Sequence, residues 1–332
     1  MKPDESAEPI AGALNSDYRA PWWLPGGHLQ TIYARTLAKN YPVAFCRERW
    51  DTPDQDFIDL DWLGQEADAG KLVVLFHGLE GCSQSHYARA LMQLVRDQGW
   101  RGVVPHFRGC SGEANRLARS YHSGDSREID WILRRLKSEN SRAEIYVAAV
   151  SLGGNMLLKW LGEEGEAARS VVERAVAVSV PLDLAAAARA LDSGVNKILY
   201  TIHFLNLLRP MALAKIAAHE LPIDARAIRT SLTFREFDDL FTAPIHGFKD
   251  AMDYWTRSSS KPWLKSIALP TLLINARNDP FLPEDALPNA AEVSAAVTLE
   301  YPKSGGHVAF VSGNFPGNLD WLAERVIQFF VS

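Results

Sequence analysis

Cysteine is scarce in this sequence and follows no pattern. The 332 residues include three cysteines, Cys46, Cys82 and Cys110. An odd, unpatterned set indicates a reducing compartment and argues against a disulfide framework. The sequence contains no Cys-x-x-Cys pair and no cluster of histidine and cysteine. It therefore predicts no metal site.

Basic runs and long apolar runs are also missing. The formal net charge is −5 and no base-stacking motif occurs, which argues against a nucleic-acid partner. No apolar run approaches the roughly 18 residues that a membrane span needs. The segment from Met1 to Ala20 is polar and acidic and lacks the apolar core of a signal peptide. We therefore expect a soluble cytoplasmic protein without an integral membrane segment, and the sequence says nothing of its oligomeric state.

From Lys71 onward, strand-like and helix-like segments alternate. Short apolar runs typical of buried strands are separated by longer segments with helical spacing of apolar residues. The predicted strands are 72–76, 102–105, 145–150, 175–180, 271–275 and 297–301, and the predicted helices are 85–98, 125–139, one opening after Ser151, and 319–330. This alternation predicts an α/β fold with a mostly parallel central sheet and helices on both faces.

The amino-terminal part has a different pattern. Residues 1–20 are predicted to be a flexible tail. Residues 21–32 contain two prolines and two glycines, which exclude regular structure until a helix predicted for residues 28–39. The strand-like segments 43–50 and 56–63 are separated by Asp51-Thr52-Pro53-Asp54, which indicates a hairpin.

Residues 183–262 interrupt the alternation and form an insertion. Bulky apolar residues are frequent there, and the predicted helices are 185–191, 198–218 and 247–255. We interpret the insertion as a helical lid over the carboxyl ends of the strands. It can also be a helical subdomain with its own core, and the two interpretations are compatible. The core domain is then divided between residues 21–182 and 263–332.

One strand-to-helix junction stands out, at Ser151. The apolar run 145–150 ends at this serine, and Gly153-Gly154 opens a helix directly behind it. A serine on so sharp a turn is typical of a nucleophile elbow, whose usual pattern is Gly-x-Ser-x-Gly. Small residues flank the serine because the neighbouring backbones come into contact. Here the first glycine is replaced by Ala149, a change of one methyl group.

A serine hydroxyl needs a base, and the base needs a third group that orients it. Asp279 lies in the loop after the strand 271–275, and His307 lies in a glycine-rich loop after the strand 297–301. Catalytic groups collect at the carboxyl ends of parallel strands. The order Ser151, Asp279, His307 therefore predicts a catalytic triad. Asp183, directly after the strand 175–180, is the alternative acid, and the other histidines considered are His28, His77, His86 and His106, of which we interpret His77 as structural.

Acyl transfer also needs hydrogen-bond donors for the oxygen of the tetrahedral intermediate. The residue after the nucleophile, Leu152, offers its amide at the start of a helix, where the helix dipole helps. A second donor is expected from the loop His77-Gly78-Leu79-Glu80-Gly81, and Leu79 is the residue we predict. A simple glycine turn is the alternative interpretation of that loop.

These motifs together resemble the α/β-hydrolase superfamily, and within it the YheT-like esterases of bacteria. Those esterases are related to eukaryotic acylglycerol lipases, phospholipases and yeast ethyl-ester synthases. The resemblance covers about residues 20–330. The residues that carry it are Pro21-Trp22-Trp23-Leu24-Pro25-Gly26-Gly27-His28-Leu29-Gln30-Thr31-Ile32, Phe76-His77-Gly78-Leu79, Arg108-Gly109-Cys110-Ser111-Gly112, the elbow, Asn278-Asp279-Pro280 and Gly306-His307. It implies a carboxylester hydrolase with Ser151, Asp279 and His307 as the triad, whereas it implies no role for His28.

The expected function is hydrolysis of short- to medium-chain acyl esters through an acyl-enzyme, without a cofactor. The expected partner is a small-molecule ester. Acyl transfer to an alcohol with the same triad is one alternative. A catalytically silent binder of small molecules is another, although the complete triad order argues against it. We also expect Phe204, Met211, Phe237 and Phe241 of the insertion to form an apolar pocket beside Ser151.

Overall fold

A central sheet of eight strands organises the molecule. The structure, a computed structural model, describes residues 13–36, 41–63 and 70–332. The strands are β1 (Cys46–Asp51), β2 (Phe57–Leu63), β3 (Lys71–Phe76), β4 (Arg101–Pro105), β5 (Glu144–Val150), β6 (Arg174–Val178), β7 (Thr271–Ile274) and β8 (Val297–Glu300). Their order across the sheet is β1-β2-β4-β3-β5-β6-β7-β8. The six strands β3 to β8 run parallel, whereas β1 and β2 form the antiparallel end. The predicted fold class and the hairpin are confirmed.

Helices cover both faces of the sheet because each inner strand is apolar on both sides. Leu72, Val74 and Phe76 of β3 pack towards α3 (Ser126–Glu139) and α4 (Ser151–Glu164). Val73 and Leu75 pack towards α2 (His86–Asp97) and α12 (Asp320–Val331) on the opposite face. Consecutive residues of a strand point to opposite faces, so one apolar run serves two cores. Across the part of the chain that the structure describes, no helix has the length and apolarity to cross a membrane.

The insertion, residues 183–262, contains more and shorter helices than expected. They are α5 (Leu184–Leu191), α6 (Gly194–Asn196), α7 (Ile202–Ala218), α8 (Ala225–Thr230), α9 (Phe234–Phe237), α10 (Ala243–His246) and α11 (Ala251–Ser258). A π-helical turn, Lys197–Thr201, joins α6 to α7, so the helix predicted for 198–218 is divided. The insertion has an apolar core of its own, which includes Leu205, Leu208 and Ile228.

The amino-terminal segment differs from the prediction. Helix α1 is Gly27–Thr36, one residue earlier than predicted at its start, and Lys39 at the predicted end lies outside the described residues. Residues 1–12 of the predicted tail also lie outside them. Residues 13–20 are not a loose tail, because the Leu14 amide donates a hydrogen bond of 2.7 Å to the Leu299 carbonyl at the edge strand β8. The Tyr18 hydroxyl is buried and donates to the Val311 carbonyl.

Candidate active site

The site lies where the strand order reverses. After β3 the chain passes to β4 on one side, and it then returns to β5 on the other side of β3. The loops after β3 and β5 therefore diverge and leave a crevice at the carboxyl ends of the two strands, where ligands bind in open α/β sheets. Ser151 follows β5 directly, and Leu79 lies in the loop after β3.

Ser151 occupies a strained turn. Its φ angle is 50°, in the left-handed region that residues with a side chain rarely adopt. The turn is tight, since a Cβ atom on Gly153 would lie 2.4 Å from the His77 carbonyl oxygen. Glycine at position 153 thus lets α4 begin against the loop after β3. The hydroxyl of Ser151 is presented at the crevice rather than within the helix.

The structure brings Ser151, His307 and Asp279 together in that order. The Ser151 Oγ lies 2.8 Å from His307 Nε2, and His307 Nδ1 lies 3.0 Å from Asp279 Oδ2 and 3.2 Å from Oδ1. The Asp279 side chain is fully buried, and that of His307 is one-tenth exposed. A carboxylate at Nδ1 favours the tautomer that carries its proton there, which leaves Nε2 free to accept the hydroxyl proton. The catalytic roles of the three residues stay a prediction.

Asp183, the alternative acid, lies elsewhere. Its side chain accepts a hydrogen bond of 2.9 Å from the Ala186 amide and so caps the first turn of α5. Aspartate is a preferred residue at that position because it satisfies an amide that the helix leaves unpaired. The geometry therefore favours Asp279 over Asp183 as the partner of His307.

Two neighbours of His307 were not identified from the sequence. The Phe281 ring stacks on the imidazole with 3.9 Å between centroids, and the Phe281 amide donates to Asp279 Oδ1 at 2.9 Å. Ser179, directly after β6, accepts a hydrogen bond of 3.0 Å from the amide of Val308, whose φ angle is 52°. A positive φ at a β-branched residue is strained, so this bond stabilises the loop that carries His307. In the sequence, the only indication for Phe281 was its proximity to Asp279, and the only indication for Ser179 was its position at the end of a predicted strand.

The loop after β3 is held by its own hydrogen bonds. His77 Nε2 accepts from the Phe107 amide at 3.0 Å, so His77 Nδ1 carries the proton and donates to the Gly78 carbonyl at 2.7 Å. Burial lowers the pKa of His77 to about 3, which keeps the ring neutral in this structural role. Amides of the turn at Gly78, Glu80 and Gly81 all have acceptors.

Leu79 is the residue of that turn whose amide remains available. Among the described residues, no acceptor pairs with it. Leu152 is the second residue of α4, so its amide has no partner within the helix. Both residues line the same pocket as Ser151. The arrangement is compatible with the predicted oxyanion donors, whose roles also stay a prediction.

A pocket of about 100 Å³ opens beside Ser151 and His307. Its walls are mainly apolar, and most of them come from the insertion. The lining residues beyond the site itself are Ser123, Pro181, Leu184, Ala187, Ala188, Leu191, Phe204, Phe234, Asp238, Tyr254, Trp255, Phe281 and Leu282. Phe204 was predicted correctly. The prediction for Met211, Phe237 and Phe241 was wrong, because none of them lines the pocket: Phe237 and Phe241 are buried in the insertion's own core and Met211 packs against it.

The remaining histidines considered have other partners. His28 Nδ1 lies 3.0 Å from the Tyr200 hydroxyl, and His106 Nε2 lies 3.0 Å from Asp61 Oδ2. His86 Nε2 lies 3.2 Å from the Val308 carbonyl oxygen, and burial lowers the pKa of His86 to about 4. Within residues 13–36, 41–63 and 70–332, no three His, Cys, Asp or Glu side chains are grouped so that they could hold a metal ion.

Comparisons with known proteins agree with this fold. The family described as the alpha/beta hydrolase fold matches residues 71–314. The chain is 40% identical over 303 residues to the protein YheT of Escherichia coli (strain K12), which bears the provisional name of an esterase, and the match covers 90% of this chain and 88% of that protein. It is 28% identical over 326 residues to the human phospholipase ABHD3, and this match covers 96% of this chain and 79% of that protein.

A solved structure extends the likeness to three dimensions. The esterase Est1E of Butyrivibrio proteoclasticus, with ferulic acid bound, superposes with a TM-score of 0.55 at 13% identity. The match covers 86% of this chain and 98% of that one, and at this identity it concerns the fold alone. The family match over residues 71–314 and the 40% identity to YheT settle the assignment. The chain belongs to the α/β-hydrolase family, in the branch that contains YheT.

Proposed function

We propose that this protein is a serine hydrolase of carboxylic esters, with Ser151 as the nucleophile. The observation that carries the proposal is the 2.8 Å contact between Ser151 Oγ and His307 Nε2, with Asp279 on the other imidazole nitrogen. The relatives described above are named as an esterase and a phospholipase, and both names denote cleavage of esters.

The reaction begins with attack of Ser151 Oγ on the ester carbonyl carbon, while His307 Nε2 takes the hydroxyl proton. The amides of Leu79 and Leu152 then donate hydrogen bonds to the negative oxygen of the tetrahedral intermediate. When this intermediate collapses, His307 returns the proton to the departing alkoxide, and an alcohol leaves. Asp279 holds the imidazole in the required tautomer and stabilises its charged form.

The second half of the reaction uses the same groups. Water enters after the alcohol has left, and His307 removes its proton as the oxygen attacks the acyl carbon. Collapse of the second intermediate returns the proton to Ser151 Oγ and releases the acid. The atoms balance as ester plus water giving alcohol plus acid, and the active site needs no cofactor for either step.

The pocket indicates the substrate class. Its volume of about 100 Å³ and its apolar walls, including Leu184, Leu191 and Phe204, suit a short to medium acyl chain. Burial of such a chain removes apolar surface from water, which favours binding. We therefore propose short- to medium-chain acyl esters as substrates, with the insertion serving as the lid above them.

Labelling with a fluorophosphonate tests the nucleophile. Wild-type protein should become covalently labelled, and Ser151→Ala should lose the label and at least about 10³-fold in turnover of a nitrophenyl ester. Peptide mapping of the labelled protein should place the adduct on Ser151. Ser170, an exposed serine outside the crevice, provides the control, because Ser170→Ala should label like the wild type. Equal labelling of wild type and Ser151→Ala would contradict the proposal.

A further inference from the structure

The first turn of α1 lies between the two loops that carry the predicted acid and base. A Cβ atom on Gly27 would lie 2.2 Å from the Asn278 carbonyl oxygen, in the loop of Asp279. On the other side, a Cβ atom on Gly306 would lie 2.6 Å from both the Thr31 amide nitrogen and its Oγ1. The two glycines therefore allow backbone to pack on backbone at both contacts. In this way the helix turn connects the loop of the acid to the loop of the base.

Thr31 makes a direct hydrogen bond to the residue that carries the imidazole. Its Oγ1 accepts from the His307 amide at 2.8 Å and donates to the Gly27 carbonyl at 2.7 Å. The hydroxyl is thus oriented by its own helix and holds the backbone of His307 at a fixed distance from it. The bond joins residues 276 positions apart in the chain.

From this geometry we infer that Thr31 is a positioning residue for His307. Its hydroxyl holds the His307 backbone so that Nε2 stays within hydrogen-bonding distance of Ser151 Oγ. The next residue, Val308, is strained at a φ angle of 52°, and the loop around His307 contains Gly305 and Gly306. A loop of this kind needs external contacts to keep one conformation. Thr31 supplies such a contact to the catalytic histidine itself, and this inference rests on the proposed function.

The same turn of α1 also contacts the insertion. The His28 ring stacks on Tyr200 with 5.7 Å between centroids and an angle of 8° between the planes. Tyr200 in turn packs on Phe281 at 4.6 Å, and Phe281 stacks on His307. The Tyr200 hydroxyl also lies 3.0 Å from His28 Nδ1, in the same turn as Thr31. The experiment must therefore separate the bond from Thr31 to His307 from the contact that Tyr200 makes with His28.

Thr31→Val removes the hydroxyl while nearly keeping the shape of the side chain. We expect kcat for a nitrophenyl ester to fall about 10- to 100-fold with KM changed less than about twofold, because misplacement of a catalytic group by about 1 Å costs up to 10²-fold. The rate of fluorophosphonate labelling should fall in parallel. Thr31→Ser, which keeps the hydroxyl, should restore most of both rates. If Thr31 had only a structural role, its loss would not lower kcat while leaving KM nearly unchanged, and Thr31→Ser would not restore the rate.

Thr36→Val is the matched control. Thr36 lies on the same helix and donates the same type of bond, from Oγ1 to the Ile32 carbonyl at 2.8 Å, but it is exposed and, among the described residues, makes no hydrogen bond to the loop of His307. It should have the kcat and labelling rate of the wild type. Tyr200→Phe keeps the ring and loses the hydroxyl, and it should reduce kcat less than Thr31→Val does. If Thr31→Val does not fold, Thr31→Ala replaces it, because a smaller side chain cannot overpack the site.

Two outcomes would overturn the inference. One is a kcat of Thr31→Val equal to that of Thr36→Val, and the other is a loss in Tyr200→Phe as large as in Thr31→Val. Either of these, with wild-type protein labelled on Ser151, would leave the proposed function intact. Absence of labelling in the wild type would instead contradict the proposed function, and the inference would fall with it.

Discussion

Replacement of Asp279 by asparagine tests the hydrogen bond that orients His307. Asp279 Oδ1 accepts from the Phe281 amide, and an asparagine carbonyl can keep that bond. The amide nitrogen of the asparagine then takes the position of Oδ2, 3.0 Å from His307 Nδ1. Because an amide N–H can only donate, Nδ1 becomes the acceptor and the proton moves to Nε2. The imidazole then cannot accept the proton of Ser151.

The size of the effect follows from this change of tautomer. The same exchange in a Ser-His-Asp triad costs about 10⁴-fold in turnover. A factor of 10⁴ corresponds to about 5.4 kcal/mol in the barrier, at 1.36 kcal/mol for each factor of ten. The folded state should change little, because the bond from the Phe281 amide is kept, the bond to His307 is kept with donor and acceptor exchanged, and a hydrogen bond contributes only about 1 kcal/mol net. We therefore expect a large loss of activity without a large loss of stability.

Asp183→Asn is the matched control for Asp279→Asn. It makes the same chemical change at the alternative acid, and asparagine caps a helix about as well as aspartate. Both variants would be measured for kcat/KM on a nitrophenyl ester and for thermal unfolding. Asp183→Asn should resemble the wild type in both. The reasoning is refuted if Asp279→Asn keeps more than about a tenth of wild-type kcat/KM, or if Asp183→Asn loses as much as Asp279→Asn.

Two further predictions concern the pocket. Each methylene of an acyl chain that enters the pocket should raise kcat/KM about fourfold, because burial of a methylene gains about 0.8 kcal/mol, until the pocket is filled. A series of nitrophenyl esters in which the acetyl ester has a higher kcat/KM than both the butyryl and the hexanoyl ester would contradict this. Burial raises the pKa of Asp238 to about 7, above the roughly 3.9 of an aspartate in an unfolded chain. The contribution of Asp238 to the free energy of unfolding is therefore greatest below about pH 4 and is lost as the pH rises through about 7. Asp238→Asn should therefore gain melting temperature relative to the wild type between pH 5 and 8, and an unchanged difference across that range would argue against a protonated Asp238.

Much of the sheet could be predicted from the sequence, because the relevant information is local. The strand β5 and the start of the helix α4 were predicted to within a residue or two, since a doubly buried strand is a continuous apolar run and a helix shows its own periodicity. The candidate site followed from the sheet. In a parallel sheet the loops at the carboxyl ends of the strands lie at one edge. The position of Ser151, Asp279 and His307 directly after predicted strands was therefore enough to predict that their side chains meet, as they do in the structure.

The insertion shows where local information stops. An apolar residue on a short helix can face the pocket or the core of the insertion, and the sequence does not distinguish the two. Phe204 lines the pocket, whereas Phe237 and Phe241 are buried in the insertion's core. The choice depends on how the helices pack on one another. Residues 13–20 are a second case, because their contacts to β8 depend on an exposed strand edge that only the assembled sheet provides.

The front segment is the clearest example of what only the tertiary structure decided. From the sequence, residues 21–32 were distinctive but had no physical role. The folded chain places Thr31 against His307 and Gly27 against the loop of Asp279. Helical periodicity and turn residues determine the local course of the chain, and so the sequence alone determined the strands of the sheet, the sharp turn at Ser151 and the order of the three predicted triad residues. Contacts between segments more than 270 residues apart depend on the packing of the whole molecule, and so the neighbours that hold His307 in place emerged only from the fold.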